Sequence, residues 1–180
     1  MELERQTLRG STVEGYRILL RAQAELLLPL EYPVIREFYI ALARRCIDWT
    51  CEVTGERLRA RYLALDTNAE RARFDTRTYR FTMRYTDADD RHAAIVCESR
   101  FSGEGERIAY RRISHVWYLS EQTLLPPSQI IKRYSQGRHA SVDFHPDGIY
   151  PENGDLVLFK NATEKTEFTE KRFSLSDTLR

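Results

Sequence analysis

Cysteine is scarce in this chain of 180 residues: there are three, Cys46, Cys51 and Cys97. So thin and odd a set excludes a disulfide scaffold and fits a reducing compartment. Lysine is also sparse, standing only at 132, 160, 165 and 171, so arginine carries most of the positive charge. Arginine suits ion pairs and bidentate contacts. An excess of either sign is missing, since the net charge is +1. That leaves no global field to hold nucleic acid or an anionic membrane. Long apolar runs are absent too. The most apolar stretch, "GYRILLRAQAELLLPLEYPVI" over residues 15–35, is broken by Arg17, Arg21, Gln23 and Glu25. A membrane span needs about 20 mostly apolar residues, so this is core and not a span. The first residues, "MELERQTLRGSTVEG", have no apolar centre and do not read as a signal peptide. What remains is ordinary globular composition, 42% hydrophobic and 31% charged. The expectation is one cytoplasmic domain over residues 1–180, with its core over about 15–175.

Residues 16 to 28 alternate. Tyr16, Ile18, Leu20, Ala22, Ala24, Leu26 and Leu28 share one parity, and Arg17, Arg21, Gln23 and Glu25 share the other. Leu, Ala, Arg, Gln and Glu favour helices, but sustained period-2 alternation predicts a strand. Pro33 then opens a helix in which Ile35, Phe38, Tyr39, Leu42, Cys46, Trp49 and Val53 recur at three- and four-residue steps. Gly55 weakens it, and "ERLRARYLAL" carries it towards Leu65; "DTNAERAR" reads as a loop. "TYRFTMRYT", "HAAIVCESRF" and "RIAYRRISHVWYL" follow as three strands joined by the turns "DADDR" and "SGEGE". The third slips parity between Arg112 and Ile113, which suggests a bulge. "PPSQIIKRY" reads as a short helix. "HASVDFH" and "DLVLFK" read as strands about the turn-rich "PDGIYPENG", and "TEFTEKRFSL" as an edge strand. The fold class is α+β: an antiparallel meander with one long amphipathic helix packed on a face, and a second short helix.

This order of elements, with "YPVI" opening a helix that contains "FYIALA", then "SHVWYL" and "LLPPSQII", resembles a bacterial domain family of unknown function. That family occurs beside polysaccharide deacetylase domains and in lysozyme-sensing anti-sigma factors. The likeness spans most of residues 15–160. The family often has a Gly-Gly-Ala-His-like turn; here "FSGEGERIAY" keeps Gly103 and Gly105 and has no histidine. The family is usually extracytoplasmic, whereas this chain shows no export signal. The resemblance implies a fold and a bias towards non-catalytic binding or sensing, and it transfers no residue role.

Candidate chemistry gathers in "HASVDFHPD". On a strand, His139, Asp143, His145 and Asp147 share one parity, and imidazoles with carboxylates are plausible ligands for a divalent metal. Yet 139 and 147 would lie about 25 Å apart on a straight strand. A solvated strand face running into a Pro-Asp-Gly turn accounts for them as well, and no metal or cofactor is expected. Ser114 and His115 are adjacent on a strand, so they point to opposite faces and form no nucleophile–base pair. His115 reads as half-buried core. The cysteines read as small hydrophobes. "DADDRH" lacks the glycine and distal glutamate of a calcium loop and reads as an acidic hairpin tip. Arg57, Arg59, Arg61, Arg71, Arg73, Arg77, Arg80 and Arg84 make the densest basic region, with Tyr79 and Phe81 nearby. Arg80 and Arg84 fall on the strand face opposite the aromatics, which argues against a single-strand nucleic-acid platform.

The sequence therefore favours a small non-catalytic binding or regulatory module whose partner is a protein or a small ligand. The competing readings are a hydrolase-like enzyme using His139, Asp143, His145 and Asp147, and a single-strand nucleic-acid binder. Nothing in the chain sets an oligomeric state.

Overall fold

The computed structural model describes residues 1–102, 109–134, 143–163 and 166–174. Alternation prevails over helix propensity at the N-terminus. Strand β2 spans Arg17–Pro29, and Leu20, Ala22, Ala24, Leu26 and Leu28 are buried as the parity requires. Its partner, β1 over Leu3–Glu14, has no counterpart in the sequence reading. β1 alternates in burial but places Gln6, Gly10, Thr12 and Glu14 beside Leu8 on its inner face, and it lies mostly exposed at one end of its sheet, so it leaves little hydrophobic signature. The two pair antiparallel from Leu3↔Pro29 to Glu14↔Arg17, with a register shift at Thr12/Val13. Gly15 takes φ +57 in the connecting turn. That turn puts Tyr16 wholly in solvent, contrary to its expected place on the buried parity.

Helix α1 spans Pro33–Trp49, passes through a π-helical turn at Thr50–Thr54, and continues as α2 over Gly55–Leu63. Ile35, Tyr39, Ala43 and Ile47 form its buried row. Trp49, expected on that row, is 59% exposed. It follows Ile47 by two residues, about 200° around the axis, and so faces away. Two glycines let the helical layer lie close on the hairpin. A Cβ on Gly10 would come within 2.5 Å of Ile47 Cγ2, and one on Gly55 within 2.1 Å of Thr12 Oγ1. Thr12 and Thr50 hydroxyls donate to the carbonyls of Cys51 and Cys46, supporting backbone where the helix widens.

The expected loop "DTNAERAR" instead contains helix α3, Asn68–Ala72. Its signal was the Thr67-x-x-Glu70 capping box, in which each side chain satisfies the other's backbone N–H. β3 (Arg77–Ala88), β4 (His92–Ser102) and β5 (Ala109–Tyr118) follow, with a short β6 at Thr123–Leu124. The hydrogen-bonding order is β1-β2-β3-β4-β5-β6. β2 and β3 are parallel, registered from Leu20↔Arg77 to Glu25↔Thr82, so the sheet is mixed, where a wholly antiparallel one was expected. Helices α1 and α2 form the crossover that parallel pairing needs.

Helix α4, Pro127–Tyr134, is the expected short helix. A second sheet, β7-β8-β9, follows. The sequence reading placed a strand at "HASVDFH" and a turn at "PDGIYPENG". Of the first, the described residues 143–145 are not strand, and 139–142 lie outside the described residues. Strand β7 is instead Gly148–Glu152, inside the stretch read as turn. Its Pro151 lacks an N–H, which a strand at the end of a sheet tolerates. Only Asn153–Gly154, at φ 52 and 80, make the turn. β8 (Asp155–Lys160) and β9 (Thr169–Ser174) stand where strands were expected.

By contacts the chain forms two compact units. One comprises Met1–Thr82 with Ser99–Ala109, and its core joins Leu19, Leu20 and Leu58. The other comprises Met83–Glu98 with Tyr110–Arg180. There Ala94, Val116, Ile130, Ile149, Leu156 and Leu158 form one cluster, and Val96, Tyr150, Val157 and Phe159 another. No helix among the described residues is long and apolar enough to cross a membrane.

Candidate functional site

Of the His/Asp stretch, Asp143, His145 and Asp147 lie among the described residues. Asp143 and His145 are exposed in non-strand backbone, while Phe144 between them packs on the second unit's core. Asp147 accepts the Asn161 N–H at 2.8 Å and donates its own N–H to Phe159. It closes the mouth of the β7–β8 ladder. His139 lies outside the described residues. No group of three or more His, Cys, Asp or Glu among the described residues could hold a metal.

Ser114 and His115 are likewise structural. The Ser114 hydroxyl donates to the Ile149 carbonyl at 3.0 Å and accepts the Ile149 N–H at 3.1 Å. His115 is half-buried, and burial lowers its pKa to about 4. Burial pushes the Cys46 and Cys51 thiols up, away from the thiolate that a nucleophile requires. In the acidic tip, Asp89 Oδ1 accepts the N–H groups of Arg91 and His92, both at 2.7 Å, and Arg133 bonds Oδ2 at 2.8 Å. Desolvation alone would raise this carboxyl; those hydrogen bonds outweigh it and hold the pKa at about 2. Asp89 therefore organises the β3–β4 turn.

The second unit contains an arginine that reverses the apolar expectation. Arg112 is 9% exposed, whereas its neighbour Ile113 is 38% exposed. Its guanidinium lies 3.1 Å from Glu98 and also pairs with Glu170. It donates to the hydroxyls of Tyr110 and Tyr150 and sits 4.9 Å from the Phe168 ring centroid. Arg84 and Arg172 bracket Glu152, and Arg172 also reaches Glu170. Three cations and three carboxylates thus alternate, and each carboxylate is claimed by at least one arginine. The chemistry is closed on itself, so this network is architecture and not a reaction centre.

An open feature lies in the first unit, around the β1–β2 turn. It is a cleft of about 530 Å³, lined by Glu14, Gly15, Tyr16 and Arg17 from the hairpin. Tyr62, Leu63 and Arg71 line it from the helical side. The fully exposed Tyr16 and the half-exposed Leu63 give it apolar surface. Tyr62 packs edge-on against Phe74, with centroids 5.4 Å apart. Glu14 pairs at 2.8 Å with Arg59, which is shared with Glu56. Among the described residues the two cleft arginines donate to carbonyls, Arg17 to Phe74 and Arg71 to Leu65 at 2.9 Å. The sequence reading put Arg17 on a solvent face and Arg71 in a general basic region, and it missed the cleft. Its one available signal was the capping box that brings Arg71 into a helix.

Comparison with known proteins adds fold alone. No family model and no curated protein matches the chain. Its fold is similar to that of a DUF3298 family protein from Pseudomonas aeruginosa, with a TM-score of 0.52 and 9% identity. The match covers 97% of this chain and 88% of that one. The chain thus shares its α+β architecture with a protein from a family of unknown function.

Proposed function

We propose that the protein is a non-catalytic binding module whose ligand sits in the cleft at the β1–β2 turn. The observation that carries this reading is the pairing, in one cleft, of a fully exposed tyrosine, Tyr16, with two arginines whose hydrogen bonds among the described residues go to backbone carbonyls. Exposed aromatic surface beside convergent polar groups is the usual make-up of a recognition site. Holding an arginine in a cleft without a counter-ion costs free energy that a ligand would offset. A sensing role of the kind known in the family that the sequence resembles accords with such a module. The test is a fragment screen on the full chain by amide-resolved NMR. Shift changes should concentrate at residues 14–17 and 62–71. Binding confined to other surfaces, or turnover of a bound fragment, would refute the reading.

A further inference from the structure

A third arginine lies in the same unit. Arg77, the first residue of β3, is 6% exposed, and its Nε and Nη1 have no hydrogen-bond partner among the described residues. The Nε atoms of Arg17 and Arg71 are also buried without a partner. Burying an arginine with no counter-charge is costly, and native proteins almost always give such a group a partner or a bound ion.

These three arginines belong to two short segments that are pinned together. Arg17 donates to the Phe74 carbonyl, Thr76 Oγ1 donates to the Ile18 carbonyl at 2.8 Å, and Leu20 pairs with Arg77 across the parallel ladder. Segments 17–20 and 71–77 therefore lie side by side, and they carry four guanidiniums, those of Arg17, Arg71, Arg73 and Arg77. The nearby acids do not neutralise them. Glu14 is held by Arg59, Glu70 by the Thr67 cap, and Asp75 is exposed and makes no ion pair with the three.

Resting on the binding reading above, we infer that this site takes an anionic ligand, a carboxylate or phosphate carried on a small aromatic or apolar body. The anion sits between Arg17 and Arg71, the two arginines that line the cleft. The body lies on Tyr16, Tyr62 and Leu63. Arginine suits this role because its planar fork meets a carboxylate or phosphate with two parallel hydrogen bonds. Gly15 leaves the approach open: a Cβ there would meet nothing within 4 Å.

The test titrates the full chain with inorganic phosphate, benzoate, phenyl phosphate and neutral benzamide, read by NMR shifts. The anions should perturb residues 14–17 and 62–77, benzamide should bind at least tenfold more weakly than benzoate, and added salt should weaken the anions. Phosphate alone and benzoate alone separate the two anion types. Arg71→Gln should weaken benzoate about tenfold, since a charge-assisted hydrogen bond is at stake. Because Arg17 and Arg71 also brace carbonyls, Arg17→Lys and Arg71→Lys are measured alongside; they keep the charge and should retain part of the affinity. Equal binding of benzamide and benzoate at the cleft would overturn the anion inference and leave the binding reading standing. No perturbation at the cleft by any probe would overturn both.

Discussion

Asn161 holds both backbone polar groups of Arg112. Its Oδ1 accepts the Arg112 N–H at 2.7 Å, and its Nδ2 donates to the Arg112 carbonyl at 2.9 Å. A side-chain amide thus imitates a neighbouring strand, and it does so at the residue whose guanidinium centres the ionic network. Asn161→Ala should cost about 1–2 kcal/mol, the loss of two partly buried hydrogen bonds. Asn161→Asp keeps the acceptor but sets an oxygen against the Arg112 carbonyl. It should be worse than the wild type at neutral pH and recover in acid, where the protonated carboxyl donates again. Urea denaturation at the two pH values reads this, and equal stability of the three proteins would contradict it.

Removing the network's centre should cost more. Arg112→Ala leaves Glu98 and Glu170, whose side chains are 16% and 22% exposed, without their main partner. A loss of about 3 kcal/mol is expected, near the low end for breaking a buried pair because these acids keep some solvent. Burial alone would raise the pKa of Glu170, and the Arg112 and Arg172 hydrogen bonds outweigh it and hold the pKa low. In the variant, Glu170 should titrate at higher pH, which carboxyl-resolved NMR can follow.

The approach of helix to hairpin gives a coupled test. Gly55→Ala places its Cβ against the Thr12 side chain. Overpacking of this kind typically costs about 1–3 kcal/mol. Thr12→Ala removes the clashing hydroxyl and should recover part of that loss in the double variant. Additive losses, measured by thermal or chemical unfolding, would show that the close approach is not the cause.

His115 sets a pH dependence. Burial lowers its folded pKa from 6.5 to about 4. Above 6.5 the ring is neutral in both folded and unfolded chains, and it makes no difference to stability. Between 6.5 and 4 only the unfolded chain takes up the proton, so stability falls as pH falls through that window. His115→Phe should flatten this slope between about pH 7 and about pH 4. Asp89 acts lower down. Its stabilising effect is full above its ordinary pKa of 3.8 and is lost as pH falls towards about 2. Asp89→Asn should therefore change the acid limb and leave the slope above pH 4 as it was.

Most of the fold was legible because burial imprints a period on the chain. Leu20 to Leu28 alternate, Pro33 opens a helix, β3 stands where alternation placed it, and β4, β8 and β9 stand where short runs between turns were read as strands. β1 was hidden because a mostly exposed strand needs few apolar residues, and β7 because Pro151 and the flanking glycines imitate a turn. In the His/Asp stretch, Asp143 and His145 lie in non-strand backbone, so shared strand parity does not hold for those two.

The sequence by itself determined the class of fold, the elements with a strongly periodic face, and the lack of any excess charge. Those properties follow from neighbours in the chain, whose side chains repeat with the geometry of helix or strand. Tertiary structure alone decided which arginines are neutralised. Arg112 finds Glu98 and Glu170, whereas Arg17 and Arg71, far apart in the chain, line one cleft and donate to backbone carbonyls. An ion pair depends on distance through space, and the alternation and spacing of a sequence carry no record of it.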